Sequence, residues 1–333
     1  MKKQTKSKKL QFANNSTTYQ YSFDDLKPGQ STLVPIDDMG IGGELLNILS
    51  KGLYTNPLDA IREYVQNAID ANANEVKVQI TGNSVFILDW GDGMTRDQLL
   101  EARKFGVSTK SIAQNVGFRG IGIYSGFDLC ERLIIRTKTH IEDTEHIIEF
   151  EFGEMRKKLE KARLDPKRPA LSLSDLLTAH INYRYEAGRT DQPSFTMVQL
   201  EQLSNSHIHK LSNLKEMKNY ILKNLPVRFS DEFPYAKTIE ASLKQNVPGY
   251  KSAQIILEIE HNPPVVVEKP NIKDLEQPIT GFITDGNNKQ LAFYWACLTS
   301  ISESIASRKQ NSDFAGLVYK LKGCSGSQKL DRF

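Results

Sequence analysis

The chain has 333 residues, 39% apolar and 25% charged, with a formal net charge of +3; such proportions describe a folded globular protein of about two domains and exclude a disordered or fibrous chain. Five lysines fall within the first nine residues, so the positive excess belongs to a short basic start, and the near-neutral remainder gives no electrostatic case for a dedicated nucleic-acid protein. That start runs into "QFANNSTTYQYSF" and no long apolar run occurs anywhere, so the sequence predicts neither a signal peptide nor a membrane span, and a cytoplasmic location.

In chain order, the first strong pattern is "NPLDAIREYVQNAIDANA" (56–73). Leu58, Ile61, Val65, Ala68 and Ile69 recur at offsets of three and four, which predicts an amphipathic helix with Asn56 as N-cap and Pro57 in the first turn. "EVKVQI" and "VFILD" predict two strands of a hairpin around "TGNS", the second ending at Asp89 just before "WGDGM". Thr95 and Gln98 fit a capping box for a helix through "DQLLEARKF". A polar loop then leads into "GFRGIGIYSGF" (117–127), read as a glycine turn that opens a helix in which Gly126 is a close-packing position.

"RLIIRTKT" and "FTMVQL" (195–200) are predicted strands on either side of a charged, helix-forming region that includes the run "EMRKKLEKARLDPKR", read as a solvated helix face. Near residue 226 the texture changes: "AKTIEASL", "SAQIILEIE" and "ITGFITD" are predicted strands, "KQLAFYWACLTSISESIAS" one strong helix, and "FAGLVYKLKG" follows. The expected division is a basic N-terminal segment (1–30), a first domain (31–225) and a second (226–333). Cys130, Cys297 and Cys324 lack the paired spacing of a zinc site or disulfide framework and are read as buried or incidental thiols, and the His207/His209 pair, with no companion cluster, is read as surface or loop.

Glu63, Asn67 and Asp70 lie at i, i+4 and i+7, within roughly 60° of one another around a helix, so they project from one face. Asp89 closes an apolar strand, and Gly91 and Gly93 after it let backbone approach a flat ligand. A carboxylate there can accept from an exocyclic amine, with Met94 packing on the ring. Taken alone, the helix residues also fit an exposed polar face and "DWGDG" also fits a plain turn. The glycine stretch is not a Walker A loop, because no G-x-x-x-x-G-K-[ST] string exists, and it is not a dinucleotide fingerprint, because Ser125 stands where the third glycine is needed. G-x-x-G-x-G at a helix start can instead offer backbone N–H groups to phosphate oxygens.

In order and spacing, "REYVQNAIDANANEVKV", "ILDWGDGMTRDQL", "GVSTKS" and "GFRGIGIYSGF" resemble the successive boxes of the GHKL ATPase superfamily, its GHL branch in particular. "LYTNPLDAIREYVQNAIDA" and "GIGIYSGF" look like heat-shock-ninety chaperones, whereas "NAIDANANEVKV" and "GFRG" look like MutL and the Microrchidia ATPases. The resemblance implies an α+β chain: a Bergerat-fold sandwich of mixed sheet and helices, then a smaller S5-like transducer domain. It implies ATP and Mg²⁺ as ligands, with Glu63 as general base, Asn67 as Mg²⁺ ligand, Asp70 supporting the pocket and Asp89 reading adenine. Gly91, Gly93 and Met94 would line the base, and Lys110, Gly117, Arg119, Gly120, Ile121 and Gly122 would form the phosphate-binding lid. Thr196 matches a threonine that shares a water with the adenine-reading aspartate, although Phe195 replaces the usual glycine. Lys320 or Lys322 would sense the γ-phosphate.

The implied function is an ATP-hydrolysing switch that closes its lid, dimerises on ATP, and acts with a protein partner in DNA transactions or phage defence. A heat-shock-ninety-like chaperone fragment is one alternative. A histidine-kinase-class protein kinase is the other, set back by the absence of any histidine before Glu63.

Overall fold

The computed structural model describes residues 41–54, 56–106, 121–165, 171–188, 193–269, 275–298, 320–321 and 324–325. A first helix, α1 (Glu44–Leu53), precedes α2 (Pro57–Asp70). Asn56 caps α2 as its spacing predicts: its side chain accepts from the backbone, Asp59 reaches back to the Asn56 N–H, and Pro57 occupies the first turn. Leu58, Ile61, Val65, Ala68 and Ile69 are all buried. The hairpin β1 (Glu75–Thr81) and β2 (Ser84–Asp89) follows, then α3 (Arg96–Ala102), which starts at the Thr95/Gln98 capping box.

Gly122–Gly126 is a five-residue 3₁₀ helix and not the start of an α-helix. The cause is Tyr64 of α2. Its hydroxyl donates to the Ile123 carbonyl, the group an α-helix would reserve for the Phe127 amide, and that amide bonds to Tyr124 O instead. The same hydroxyl accepts from Gly126 N–H, and a Cβ at Gly126 would lie 2.8 Å from it, so Gly126 is indeed a close-packing position.

The chain continues through β3 (Arg132–Lys138), β4 (Thr144–Phe150), α4 (Phe152–Leu164), α5 (Leu173–His180), β5 (Ile181–Ala187), β6 (Phe195–Glu201), α6 (Asn205–Leu211) and α7 (Leu214–Asn224). After these come α8 (Ala236–Asn246), β7 (Gln254–Ile259), β8 (Val265–Val267), β9 (Ile279–Thr284), β10 (Gln290–Ala296), β11 (Lys320–Leu321) and β12 (Cys324–Ser325). Eight strands form one mixed sheet in the order β5-β4-β3-β6-β2-β1-β7-β8, antiparallel except where β7 runs parallel to β1. One face is apolar and buried: Val76, Val78 and Ile80 of β1 and Val85 and Ile87 of β2 pack into the cluster that includes the α2 stripe. The opposite face carries ion pairs between neighbouring strands, such as Lys77–Glu258 at 2.9 Å and Arg132–Glu201 at 2.6 Å, as expected of a sheet wetted on one side. β7 and β8 bring residues from beyond 226 into this same sheet.

Two segments after residue 226 differ from expectation. "AKTIEASL" is helical (α8), because Ala236, Ile239 and Leu243 recur at offsets of three and four and pack with Phe229 and Phe233. The predicted helix from Lys289 begins instead as strand β10, paired antiparallel with β9 across a turn in which Asp285 accepts from the Asn287 and Lys289 amides. Its aromatic run Phe293-Tyr294-Trp295 favours a pleated surface, and Trp295 sits edge-on to Phe229 at 5.6 Å. In α4, the charged run keeps an apolar stripe, with Met155 and Leu159 buried. Cys130 is buried, which pushes its thiol pKa up, and the His207/His209 pair lies on α6. Among the described residues, no helix is long and apolar enough to cross a membrane.

Candidate nucleotide site

Two elements build the site: α2, and the loop that leaves β2 at Asp89. On α2, Glu63 is fixed by its neighbour, because Oε1 accepts from Arg62 Nη2 at 2.7 Å. Its other oxygen faces the 3₁₀ helix. A Cβ placed on Gly122 would lie 3.1 Å from Glu63 Oε2 and 3.6 Å from Asn67 Nδ2, so the backbone of the 3₁₀ helix comes close to both groups where a side chain would crowd them. Asp70, one turn on, is buried, and its carbonyl accepts from Lys251 in the segment leading to β7.

Asp89 is the last residue of β2 and is 4% exposed. Burial is the main cause that raises its pKa to about 6; the Gly91 N–H donated to Oδ1 at 2.9 Å opposes the rise, and Asp92 adds to it. The following loop is clamped from three sides. Asp92 N–H donates to Ala71 O at the end of α2, Ser194 Oγ donates to Gly91 O at 2.6 Å, and Met94 N–H donates to Thr137 Oγ1 at 2.9 Å. Gly91 and Gly93 are required by this clamping. A Cβ would meet Ala71 O at 2.4 Å from Gly91 and Lys138 O at 2.0 Å from Gly93, where φ is also +68°. Gly93→Ala is therefore expected to destabilise the fold by about 2 kcal/mol or more, since left-handed strain and a backbone collision add. A thermal melt checks this, and a variant as stable as the parent would refute the clamped geometry.

β6 brings Thr196 directly opposite Asp89 in the antiparallel ladder. Glu63, Asn67 and Gly122 are thus gathered on one side, and Asp89, Gly91, Gly93, Met94 and Thr196 at the neighbouring strand ends. Ile121 precedes the 3₁₀ helix as its N-cap. Lys110, Gly117, Arg119, Gly120 and Lys322 lie outside the described residues, and Lys320 is placed by its backbone pairing with Ser325. Sequence reasoning missed Arg62, Thr137 and Ser194. Arg62 adjoins Glu63 and was legible in principle; the other two meet the loop only through the strand order of the sheet.

The mixed sheet with helices over its apolar face is consistent with the Bergerat fold of the GHKL superfamily. Residues 54–180 match the family described as histidine kinase-, DNA gyrase B-, and HSP90-like ATPase. The chain is similar to the DNA mismatch repair protein MutL of Dictyoglomus thermophilum, with 32% identity over 30% of this chain and 19% of that protein. It is similar to the ATPase morc-1 of Caenorhabditis elegans, with 36% identity over 33% of this chain and 14% of that protein. The chaperone protein HtpG of Polaromonas sp. shares 27% identity over 28% of this chain and 20% of its own length. The aligned part thus spans about a fifth or less of each relative, and the mixture of the three agrees with the mixed resemblance of the sequence boxes.

Proposed function

We propose that this protein binds and hydrolyses ATP as a conformational switch. The observation that carries the reading is the opposition of Glu63 and Asn67 to the bare Gly122, with the buried Asp89 and Thr196 at the neighbouring strand ends. Asp89 accepts from the exocyclic amine of adenine and Met94 packs on the ring, while Gly91 and Gly93 let the loop that carries them seat against the Ala71 and Lys138 carbonyls. Glu63 takes the proton of the attacking water at Oε2, because Oε1 is engaged by Arg62. The amide oxygen of Asn67 suits a hard cation that also takes phosphate and water. Mg²⁺ bound there would shield the charge of the β- and γ-phosphates. Asp70 backs this face of α2.

The same reading extends to lid closure over the phosphates by the glycine segment, dimerisation on ATP binding, and γ-phosphate sensing by Lys320 or Lys322 in an S5-like domain that follows the shared strands β7 and β8. The named relatives include a mismatch repair protein and a chaperone, and the short basic start of the chain adds slight support for contact with DNA. We extend the proposal to a role in DNA transactions or phage defence, together with a protein partner. The test is phosphate release by the purified protein with ATP, measured with Mg²⁺ or with EDTA and with or without duplex DNA. Mg²⁺-dependent turnover that rises on adding DNA is expected. No turnover in any arm sinks the enzyme reading, and turnover indifferent to DNA sinks the DNA role.

A further inference from the structure

The guanidinium of Arg62 lies between two carboxylates of α2, Glu63 and Asp59. Nη2 donates to Glu63 Oε1 at 2.7 Å, while Nη1 stops 3.9 Å from Asp59 Oδ1, too far for a hydrogen bond. Arg62 Nε is buried and bonds to nothing among the described residues, so Glu63 alone holds the fork. The three side chains are only 17% to 29% exposed, so solvent screens their contacts less than at an open surface. Asp59 has other partners. Its Oδ2 accepts from the Asn56 N–H at 3.2 Å, and its Oδ1 accepts from the hydroxyl of Tyr220, which reaches across from α7. Burial, and then the bond to Asp59, push the pKa of the Tyr220 phenol up, so it stays a donor through the ordinary pH range.

We infer that Tyr220 is a positioning residue for hydrolysis: by occupying Asp59 Oδ1 it leaves Arg62 on Glu63, and so fixes the carboxylate that takes the proton of the attacking water. Without the hydroxyl, Oδ1 is a partly buried acceptor that has lost its donor, and Arg62 Nη1 can replace that donor by moving about 1 Å. The guanidinium is a rigid plane, so the movement draws Nη2 off Glu63 Oε1. Glu63 then loses its anchor, and a misplaced catalytic group gives up much of its rate advantage. Tyr220 lies outside residues 54–180, the part matched to the family, so the control comes from a helix beyond the matched segment.

The inference rests on Glu63 being the general base of the proposed site, and single-turnover hydrolysis beside calorimetric titration with ATP separates the two. Tyr220→Phe is expected to slow hydrolysis by about tenfold or more while the Kd for ATP stays within about threefold, because the Asp89 loop is untouched. Adding Asp59→Asn is expected to bring the rate back to within about threefold of the parent, because a neutral amide does not compete for the guanidinium. A parent that does not hydrolyse ATP, or E63A that hydrolyses at the parent rate, removes the base reading itself. Where E63A is inactive, a Y220F rate that is unchanged or raised overturns the inference, and so does a Y220F/D59N double variant as slow as Y220F, which is the result of a merely structural Tyr220. Should Y220F fail to fold, D59N alone carries the test: Arg62 then has no rival for Glu63, so the rate must hold within about threefold of the parent, and a tenfold loss overturns the inference.

Discussion

Glu63→Ala is expected to lower the turnover number for ATP by about 100- to 10,000-fold, the usual contribution of a positioned general base, while the Kd for ATP stays within about threefold. The split between chemistry and binding follows from the geometry. In the proposed site adenine is read at Asp89, at the end of β2 and its following loop, and truncating Glu63 touches none of the contacts that clamp that loop. Only the oxygen facing Gly122 is asked to accept a proton, and it belongs to a side chain whose other oxygen is tied to Arg62 at 2.7 Å. Glu63→Gln should show the same loss, since it keeps shape and the Arg62 contact but not basicity. Single-turnover hydrolysis beside calorimetric binding makes the distinction. If the alanine variant hydrolysed ATP at the parent rate, another group would be the base.

Local rules made half of this site readable. Asn56, Pro57 and the apolar stripe announce α2, and once the helix is set, the spacing of Glu63, Asn67 and Asp70 places them on one side of it. Asp89 is legible only from its place between the Glu63 helix and the glycine stretch, because "DWGDG" by itself fits a plain turn. The 3₁₀ turn at Gly122–Gly126 was not legible, because it depends on a tyrosine hydroxyl 59 residues earlier capturing the Ile123 carbonyl. Thr137 and Ser194 meet the loop only because β3 and β2 both pair with β6, and the register of strands far apart in sequence cannot be read from periodicity. The errors at α8 and β10 have a different origin. Each short apolar pattern fits both periods, and the deciding partners, Phe229 and Phe233 for the helix and β9 for the strand, lie elsewhere in the chain.

Asp89→Asn is expected to move stability and binding in opposite directions. The carboxyl is 4% exposed and titrates at about 6 in the fold against 3.8 ordinarily, so the folded state holds its proton where the unfolded chain has lost it. Stability therefore falls as pH rises from about 4 to about 6 and is level above, where the ionised group costs at most about 3 kcal/mol. Asparagine carries no charge to desolvate and can still accept from Gly91 N–H. The variant should melt at or above the parent at pH 7.5 and lose that advantage toward pH 4. Binding responds the other way, because an N–H₂ now confronts the amine of adenine and a charge-assisted acceptor is gone; affinity for ATP should fall by about 100-fold. Melting curves at both pH values and titration with ATP read the two effects separately. A variant that melts lower at pH 7.5 yet still binds ATP would mean that Asp89 is a structural residue whose burial has nothing to do with a base.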